Sequence, residues 1–379
     1  MTLSLILDPA VRFRDFRVIY EGSRLLWANR SAEAYDAANF QLIEDSSLPE
    51  GLRQLDVFIS PPPFANFVGP FTLLSPTVAL VLWTVLGLVI YTVSHKALNL
   101  SKAVWLTGLV LPMSLYNLFL GQTGFFALGL ATLIHTLCIQ EKKVLVGLVA
   151  GLTILKPPLF IGLFIWWVID WKRWKVSLAA ASVSGLAITT STLWFGVRAW
   201  EDFLGAIETR SALEGVTALQ FSLPETVVRL FSHSIGLSVY AYLFYLALGA
   251  FLIWYANKKW EGRLDVISGA VLLVSVFISP HLLIYDSVML VIPLAVAIQN
   301  GVLKKDQQIM VALMVGSVPL TVLAAGPIPA LNEYVAVSTF AMITASWVWV
   351  KSINSTDPRI ATTKGFETLT QDSLGAKVQ

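Results

Sequence analysis

From residue 77 to residue 350 the chain consists of apolar runs joined by short polar gaps. The runs are 77–93, 103–120, 123–139, 144–155, 157–170, 177–196, 238–256, 265–279, 283–299, 307–325 and 333–350. A helix that crosses a bilayer needs roughly 20 apolar residues. Only 13% of the residues are charged, against about 25% in soluble proteins. The pattern predicts an all-α polytopic membrane protein with about 11 membrane segments, some of them short re-entrant or broken helices.

Lysine and arginine are unevenly divided between the gaps. Five gaps contain 12 of these residues, and the gaps that alternate with them contain four. The cation-rich gaps are 95–102, 141–143, 171–175, 257–263 and 300–306. Because cytoplasmic loops are enriched in Lys and Arg, we expect these five gaps to be cytoplasmic. We therefore expect the gaps that alternate with them to face outward.

The apolar runs and the distribution of Lys and Arg predict three parts. We expect residues 1–76 to form an extracytoplasmic N-terminal segment and residues 77–350 to form a transmembrane domain with an outer loop at 197–237. The tail 351–379 is rich in Thr, Lys, Gln and Ser, which predicts cytoplasmic disorder. Because the cations lie between membrane segments, the net charge of +2 gives no reason to expect a nucleic-acid partner. The expected partners are membrane lipids.

Residues 144–170 allow two interpretations. They could form one helix kinked at Lys156-Pro157-Pro158, which would move every later loop to the opposite side of the membrane. They could instead form two limbs that meet at Lys156. Each limb would be about 12–14 residues or roughly 18–21 Å long, whereas the hydrocarbon core of a bilayer is ~30 Å thick. The second interpretation keeps the cationic loops on one side and places Lys156 in a cavity. The simpler alternative is a lysine that extends to the membrane surface.

The N-terminal segment raises a separate question, because Met1–Leu7 is too short to act as a signal peptide or a spanning helix. Either the segment is translocated with the helix behind it, or an upstream helix is absent from this sequence. We favour the second explanation.

Several short motifs occur in a fixed order along the chain. They are Arg14-Asp15-Phe16-Arg17-Val18-Ile19-Tyr20, Ser60-Pro61-Pro62, Gly121-Gln122, Lys156-Pro157, Ser279-Pro280-His281 and Tyr285-Asp286. In this order the set resembles glycosyltransferase family 87. The sequence departs from the family pattern at Ser60, where Tyr is usual, and at Gly124, where Asn is common. Family members also usually have a helix just before the acidic residue that matches Asp15.

The resemblance implies a GT-C-like membrane glycosyltransferase that moves a hexose, by precedent mannose, from a polyprenyl-phosphate donor to a lipid or glycan acceptor. It also implies a multi-pass protein of the plasma membrane (bacterial inner membrane) whose active site faces outward. Such a transfer needs a base for the acceptor hydroxyl and cations for the departing phosphate. Asp15 is the predicted base, Lys156 and His281 are the predicted phosphate ligands, and Gln122 is predicted to bind sugar or phosphate. Asp286 and Tyr20 are expected to support the site. No metal and no cofactor other than the donor substrate are expected.

Each candidate also has a simpler interpretation. Asp15 lies among three arginines and could be an ion-paired surface residue. His281 follows a proline and could cap a helix, and Gln122 could be an ordinary polar helix end. Two other function classes remain open at this point: a transporter or flippase of a lipid-linked sugar, which broken segments around Lys156 would suit, and a non-catalytic lipid-binding subunit.

Overall fold

A computed structural model describes residues 14–36, 58–213, 235–279 and 282–300. Within these ranges the regular secondary structure is helical, as predicted. The α-helices are α1 Arg14–Trp27, α2 Ser31–Tyr35, α3 Pro62–Thr72, α4 Pro76–Ala97, α5 Lys102–Val110, α6 Pro112–Leu120, α7 Gly124–Ile139, α8 Lys143–Gly151, α9 Ile161–Ile169, α10 Trp174–Phe195, α11 Arg198–Leu213, α12 Ile235–Lys259, α13 Leu264–Ile278 and α14 Val291–Gln299. The predicted apolar runs 307–325 and 333–350 and the tail 351–379 lie outside the described residues.

Two of the described helices, α4 and α10, are long and apolar enough to cross a membrane. A third crossing is possible through α5 and α6, which are bent by 61° relative to each other. The run 103–120 was expected to be a single segment, and the break has a local cause. Pro112 disfavours a helical conformation in the residue before it, and Leu111 is accordingly extended, with φ −68° and ψ 147°. The other apolar helices in the described part of the chain are shorter, so the predicted total of about 11 segments remains a prediction.

Helices α4 and α10 present apolar side chains to the outside of the bundle. Val81 and Val93 on α4 are 55% and 58% exposed, and Leu193 on α10 is 82% exposed. A continuous apolar surface of this kind is unusual on a soluble monomer. It is the surface expected of helices that face lipid.

The α-helix is interrupted at Lys156, which is followed by two prolines. Helix α8 tightens into a 3₁₀ turn at Leu152–Leu155, and a second 3₁₀ turn at Pro157–Phe160 leads into α9. Lys156 itself has φ −149° and ψ 64°, outside the helical region. Proline cannot donate a helix hydrogen bond and restricts the residue before it, so the α-helix cannot continue through this point.

The two limbs on either side of Lys156 run in opposite directions. Gly147 on α8 packs against Val176 and Ala180 near the start of α10, and Gly151 packs one turn further along α10, so α8 and α10 are parallel. Helix α9 runs the other way, because Arg173, which follows its C-terminal end, lines a small cavity with Lys143 at the start of α8. One kinked helix would instead have placed Gly147 beside the far end of α10. The two-limbed arrangement is therefore the one the structure adopts.

This reversal brings the cation-rich gaps to the same end of the bundle, which we call the cationic end. Lys143 and Arg173 line a common small cavity with Leu264, and Lys172 lies 3.9 Å from Glu261. The described part of the last gap also lies here, since Asn300 accepts a hydrogen bond from Arg263. The first gap lies at the same end, because the side-chain amide of Gln299 donates to the Leu98 carbonyl at 2.8 Å.

The N-terminal helices pack together at the opposite end. Helix α1 is tied to α3 by the Trp27 indole, which donates to the Ala65 carbonyl at 3.0 Å. Helix α2 is tied to α11 by the hydroxyl of Ser31, which donates to Asp202 at 2.6 Å. Tyr35 is buried and donates to the Ser60 carbonyl at 2.8 Å. Burial raises the pKa of Tyr35, and the Asp202 carboxylate raises it further, so this phenol remains a neutral structural donor.

Candidate active site

The candidate site is built around the turn that follows α6. Gly121 ends that helix in the left-handed region, with φ 70°, a conformation that costs residues with a Cβ about 1–2 kcal/mol. Its carbonyl accepts a hydrogen bond from the Trp83 indole at 3.0 Å. A Cβ on Gly121 would lie 2.5 Å from the Cβ of Phe16. The absence of a side chain therefore allows the start of α1 to lie directly against this turn.

This close approach brings Asp15 to Gln122. Phe16 is 1% exposed and packs against Trp83, with ring centroids 5.8 Å apart, which fixes the first turn of α1. Asp15, in that turn, remains partly exposed, and its Oδ2 accepts a hydrogen bond from the Gln122 amide. The sequence predicted both residues but did not predict their contact. Of the arginines in the ion-pair interpretation, Arg12 lies outside the described residues.

Lys156 contacts Thr123, the next residue of the same turn. Its ammonium group donates to the hydroxyl of Thr123 at 3.0 Å and to Oδ1 of Asp286 at 2.5 Å. It also lies 4.9 Å from the centre of the Tyr285 ring. The Lys156 side chain is 27% exposed and that of Asp286 is fully buried. Lys156 therefore lies within the bundle at the tip of its hairpin, and its ammonium group has polar partners there.

Asp286 forms an ion pair with Lys156 that the sequence did not predict. The sequence predicted only that Asp286 supports the site. Its second oxygen accepts from the backbone N–H of Leu283 at 3.4 Å. His281 lies outside the described residues, so its role and any contact with Asp286 stay predictions.

Sequence reasoning missed two residues at this turn, Thr123 and Asn117. Asn117 is 4% exposed, and its side chain hydrogen-bonds to three different backbone groups. A polar residue within an apolar membrane run usually has a specific partner, so its position within 103–120 was a signal that could have been used. Thr123 gave no such signal, because threonine is common at helix starts.

Tyr20 has a structural position. Its hydroxyl donates to the Leu74 carbonyl at 2.8 Å, which ties α1 to the connection between α3 and α4. The hydrogen bond holds α1 against this connection, and the supporting role of Tyr20 at the site stays a prediction. Within the described ranges, no group of three His, Cys, Asp or Glu side chains is arranged to hold a metal ion.

Comparison with known proteins decides the family. The model of glycosyltransferase family 87 matches residues 58–284. The chain belongs to this family. Gln122, Lys156 and His281 lie inside the matched range, whereas Asp15 precedes it and Asp286 follows it. No curated protein and no solved structure matches the chain. Membership of family 87 makes the protein an enzyme, a glycosyltransferase that acts on a sugar donor and an acceptor.

Proposed function

We propose that this family 87 enzyme transfers a hexose, with mannose as the first sugar to test, from a polyprenyl-phosphate donor to a lipid or glycan acceptor. One observation carries the proposal. Gln122 hydrogen-bonds to Asp15, and the next residue, Thr123, hydrogen-bonds to Lys156. A carboxylate and a cation thus flank a single turn, which is the pair of charges that transfer from a lipid phosphate needs.

Asp15 acts as the general base in this proposal. It takes the proton from the acceptor hydroxyl while the acceptor oxygen bonds to the anomeric carbon and the bond from that carbon to the phosphate oxygen breaks. The phosphate leaves as a stable anion, so no general acid is required. This differs from glycoside hydrolysis, in which two carboxylates share the work. The hydrogen bond from Gln122 orients the Asp15 carboxylate for this task.

Lys156 stabilises the negative charge that develops on the phosphate. An ammonium group has three hydrogens to donate, and Asp286 and Thr123 accept two of them. The third hydrogen can be directed to a phosphate oxygen. Because Lys156 is only 27% exposed, its charge acts in a partly dehydrated setting where such contacts are strongest. His281 is proposed as a second phosphate ligand.

The site faces the outside of the cytoplasmic membrane in this proposal. The cationic end lies away from the Lys156 tip, and cation-rich loops are retained in the cytoplasm. The donor's polyprenyl chain would lie in the bilayer beside the exposed apolar helices, with its phosphate at the depth of Lys156. In this proposal the tip lies below the outer surface, because the limbs on either side of Lys156 are only roughly 18–21 Å long.

The direct test is turnover by purified protein with radiolabelled polyprenyl-phosphate mannose and a membrane glycolipid extract as acceptor. We expect label to move into the acceptor fraction in proportion to the amount of enzyme. Transfer with another polyprenyl-phosphate hexose and not with mannose would correct the sugar alone. Donor uptake into sealed vesicles without any transfer would favour a transporter and contradict the proposal.

A further inference from the structure

Asn117, on α6, is buried between two segments that carry candidate site residues, the turn before α7 and the segment around Asp286. Its Oδ1 accepts from the backbone N–H of Gly124 at 2.7 Å. Its Nδ2 donates to the Met113 carbonyl at 2.8 Å and to the Tyr285 carbonyl at 2.9 Å. A planar side-chain amide is suited to this place, because it offers an acceptor and two donors on one rigid group.

The bonds made by Asn117 join the two sides of the site. The bond to Gly124 holds the turn that carries Gln122 and Thr123. The bond to Tyr285 spans 168 residues of sequence and holds the segment that carries Asp286, the partner of Lys156. The packing here is tight, since a Cβ on Gly124 would clash with the Tyr285 carbonyl and with the Asn117 amide.

We infer that Asn117 is a positioning residue that keeps the base side of the site, Asp15 with Gln122, in register with the phosphate side, Lys156 with Asp286. This inference rests on the proposed function. Asn117 touches neither reacting group and acts through the turn at Gln122 and the carbonyl of Tyr285. Displacement of one side relative to the other by about 1 Å can cost about 100-fold in rate.

The kinetic test compares Asn117→Asp with Asn257→Asp. The aspartate at 117 can still accept from Gly124 but cannot donate to Tyr285 when ionised. Asn257 is a matched control at the cationic end, where its Oδ1 accepts from the Trp166 indole at 3.1 Å. We expect kcat to fall about 10- to 100-fold for Asn117→Asp and to stay within about twofold for Asn257→Asp. If Asn117→Asp does not fold, Asn117→Ala takes its place.

A double variant separates positioning from general stability. If Asn117 acts through the turn, its substitution should cost far less in a Gln122→Ala background than in the native one, because coupled residues are not additive. An equal loss of kcat in both backgrounds would mean that Asn117 only stabilises the fold, and would overturn the inference. Native kcat in a folded Asn117→Asp protein would overturn it as well.

A second readout does not depend on transfer. In a Cys138→Ser background, the reaction rate of Gln122→Cys with a maleimide reports the position of the turn. We expect Asn117→Asp to change this rate about tenfold and Asn257→Asp to leave it unchanged. An unchanged rate with Asn117→Asp would contradict the coupling. A changed rate in a protein that shows no transfer with any polyprenyl-phosphate sugar would support the coupling while it overturns the proposed function.

Discussion

The side-chain amide of Gln122 donates a hydrogen bond to the carboxylate of Asp15, although 107 residues separate the two in sequence. The contact forms because Phe16 packs against the bare Cα of Gly121 and against Trp83. The side-chain N–H of Gln122 can only donate and a carboxylate can only accept, so the bond holds Oδ2 of Asp15 toward Gln122. The first helix of the described residues, α1, is thereby joined to the turn whose next residue, Thr123, contacts Lys156.

The first prediction concerns the base. Asp15→Asn keeps the size of the side chain but removes the basic oxygen, so transfer should fall by about 100-fold or more. Donor binding, measured by photocrosslinking of a labelled polyprenyl-phosphate sugar, should survive because the base acts on the acceptor. Glu33→Gln is the control on the same N-terminal segment, since Glu33 forms an exposed pair with Arg30 that contributes little. Native transfer by a folded Asp15→Asn protein would exclude Asp15 as the base.

The second prediction concerns the Lys156–Asp286 pair. Lys156→Met leaves a fully buried carboxylate without its cation, which should destabilise the protein by about 3 kcal/mol, the lower end for broken buried pairs. The double variant Lys156→Met with Asp286→Leu should recover thermal stability, but not donor binding or transfer. Lys172→Met is the control, because Lys172 is 86% exposed. Donor binding equal to native in the stable double variant would remove Lys156 from the phosphate site.

The third prediction uses two glycines that both have a positive φ. Gly121 has φ 70° and Gly262 has φ 84°, so alanine should cost each of them about 1–2 kcal/mol of strain. Only at position 121 would the new Cβ meet another residue, Phe16, whereas at 262 nothing lies within 4 Å. Gly121→Ala should therefore lose transfer far beyond its loss of stability, and Gly262→Ala should not. Equal transfer by the two variants at matched protein levels would argue against a role for the α1 contact.

The fourth prediction concerns sidedness. In a Cys138→Ser background, single cysteines at the exposed positions 142 and 172 should resist a membrane-impermeant maleimide in intact cells, because both lie at the cationic end. A cysteine at the exposed position 201, in α11, should react. Permeabilised cells provide the control for access. Labelling of position 172 from outside would reverse the orientation and place the site in the cytoplasm.

The sequence by itself determined the helical class, most helix positions and the family. Apolar runs of 15–20 residues leave the backbone few alternatives to helix in a membrane, so the predicted runs 123–139 and 265–279 match α7 Gly124–Ile139 and α13 Leu264–Ile278 closely. The break at Lys156 was also predictable, because proline acts on its immediate neighbours. The candidates Asp15, Gln122 and Lys156 came from an ordered set of motifs that resembles one family.

Only the tertiary structure decided which of these residues meet. Periodicity and propensity describe a residue and its neighbours along the chain, whereas the Lys156–Asp286 pair spans 130 residues and depends on how α8, α9 and α13 pack. The same packing settled the choice between one kinked helix and two opposed limbs, and it assigned Asp286 to Lys156. It also revealed Asn117, whose partners are backbone groups, because hydrogen bonds to backbone carbonyls and N–H groups leave no trace in the identity of the residues that provide them.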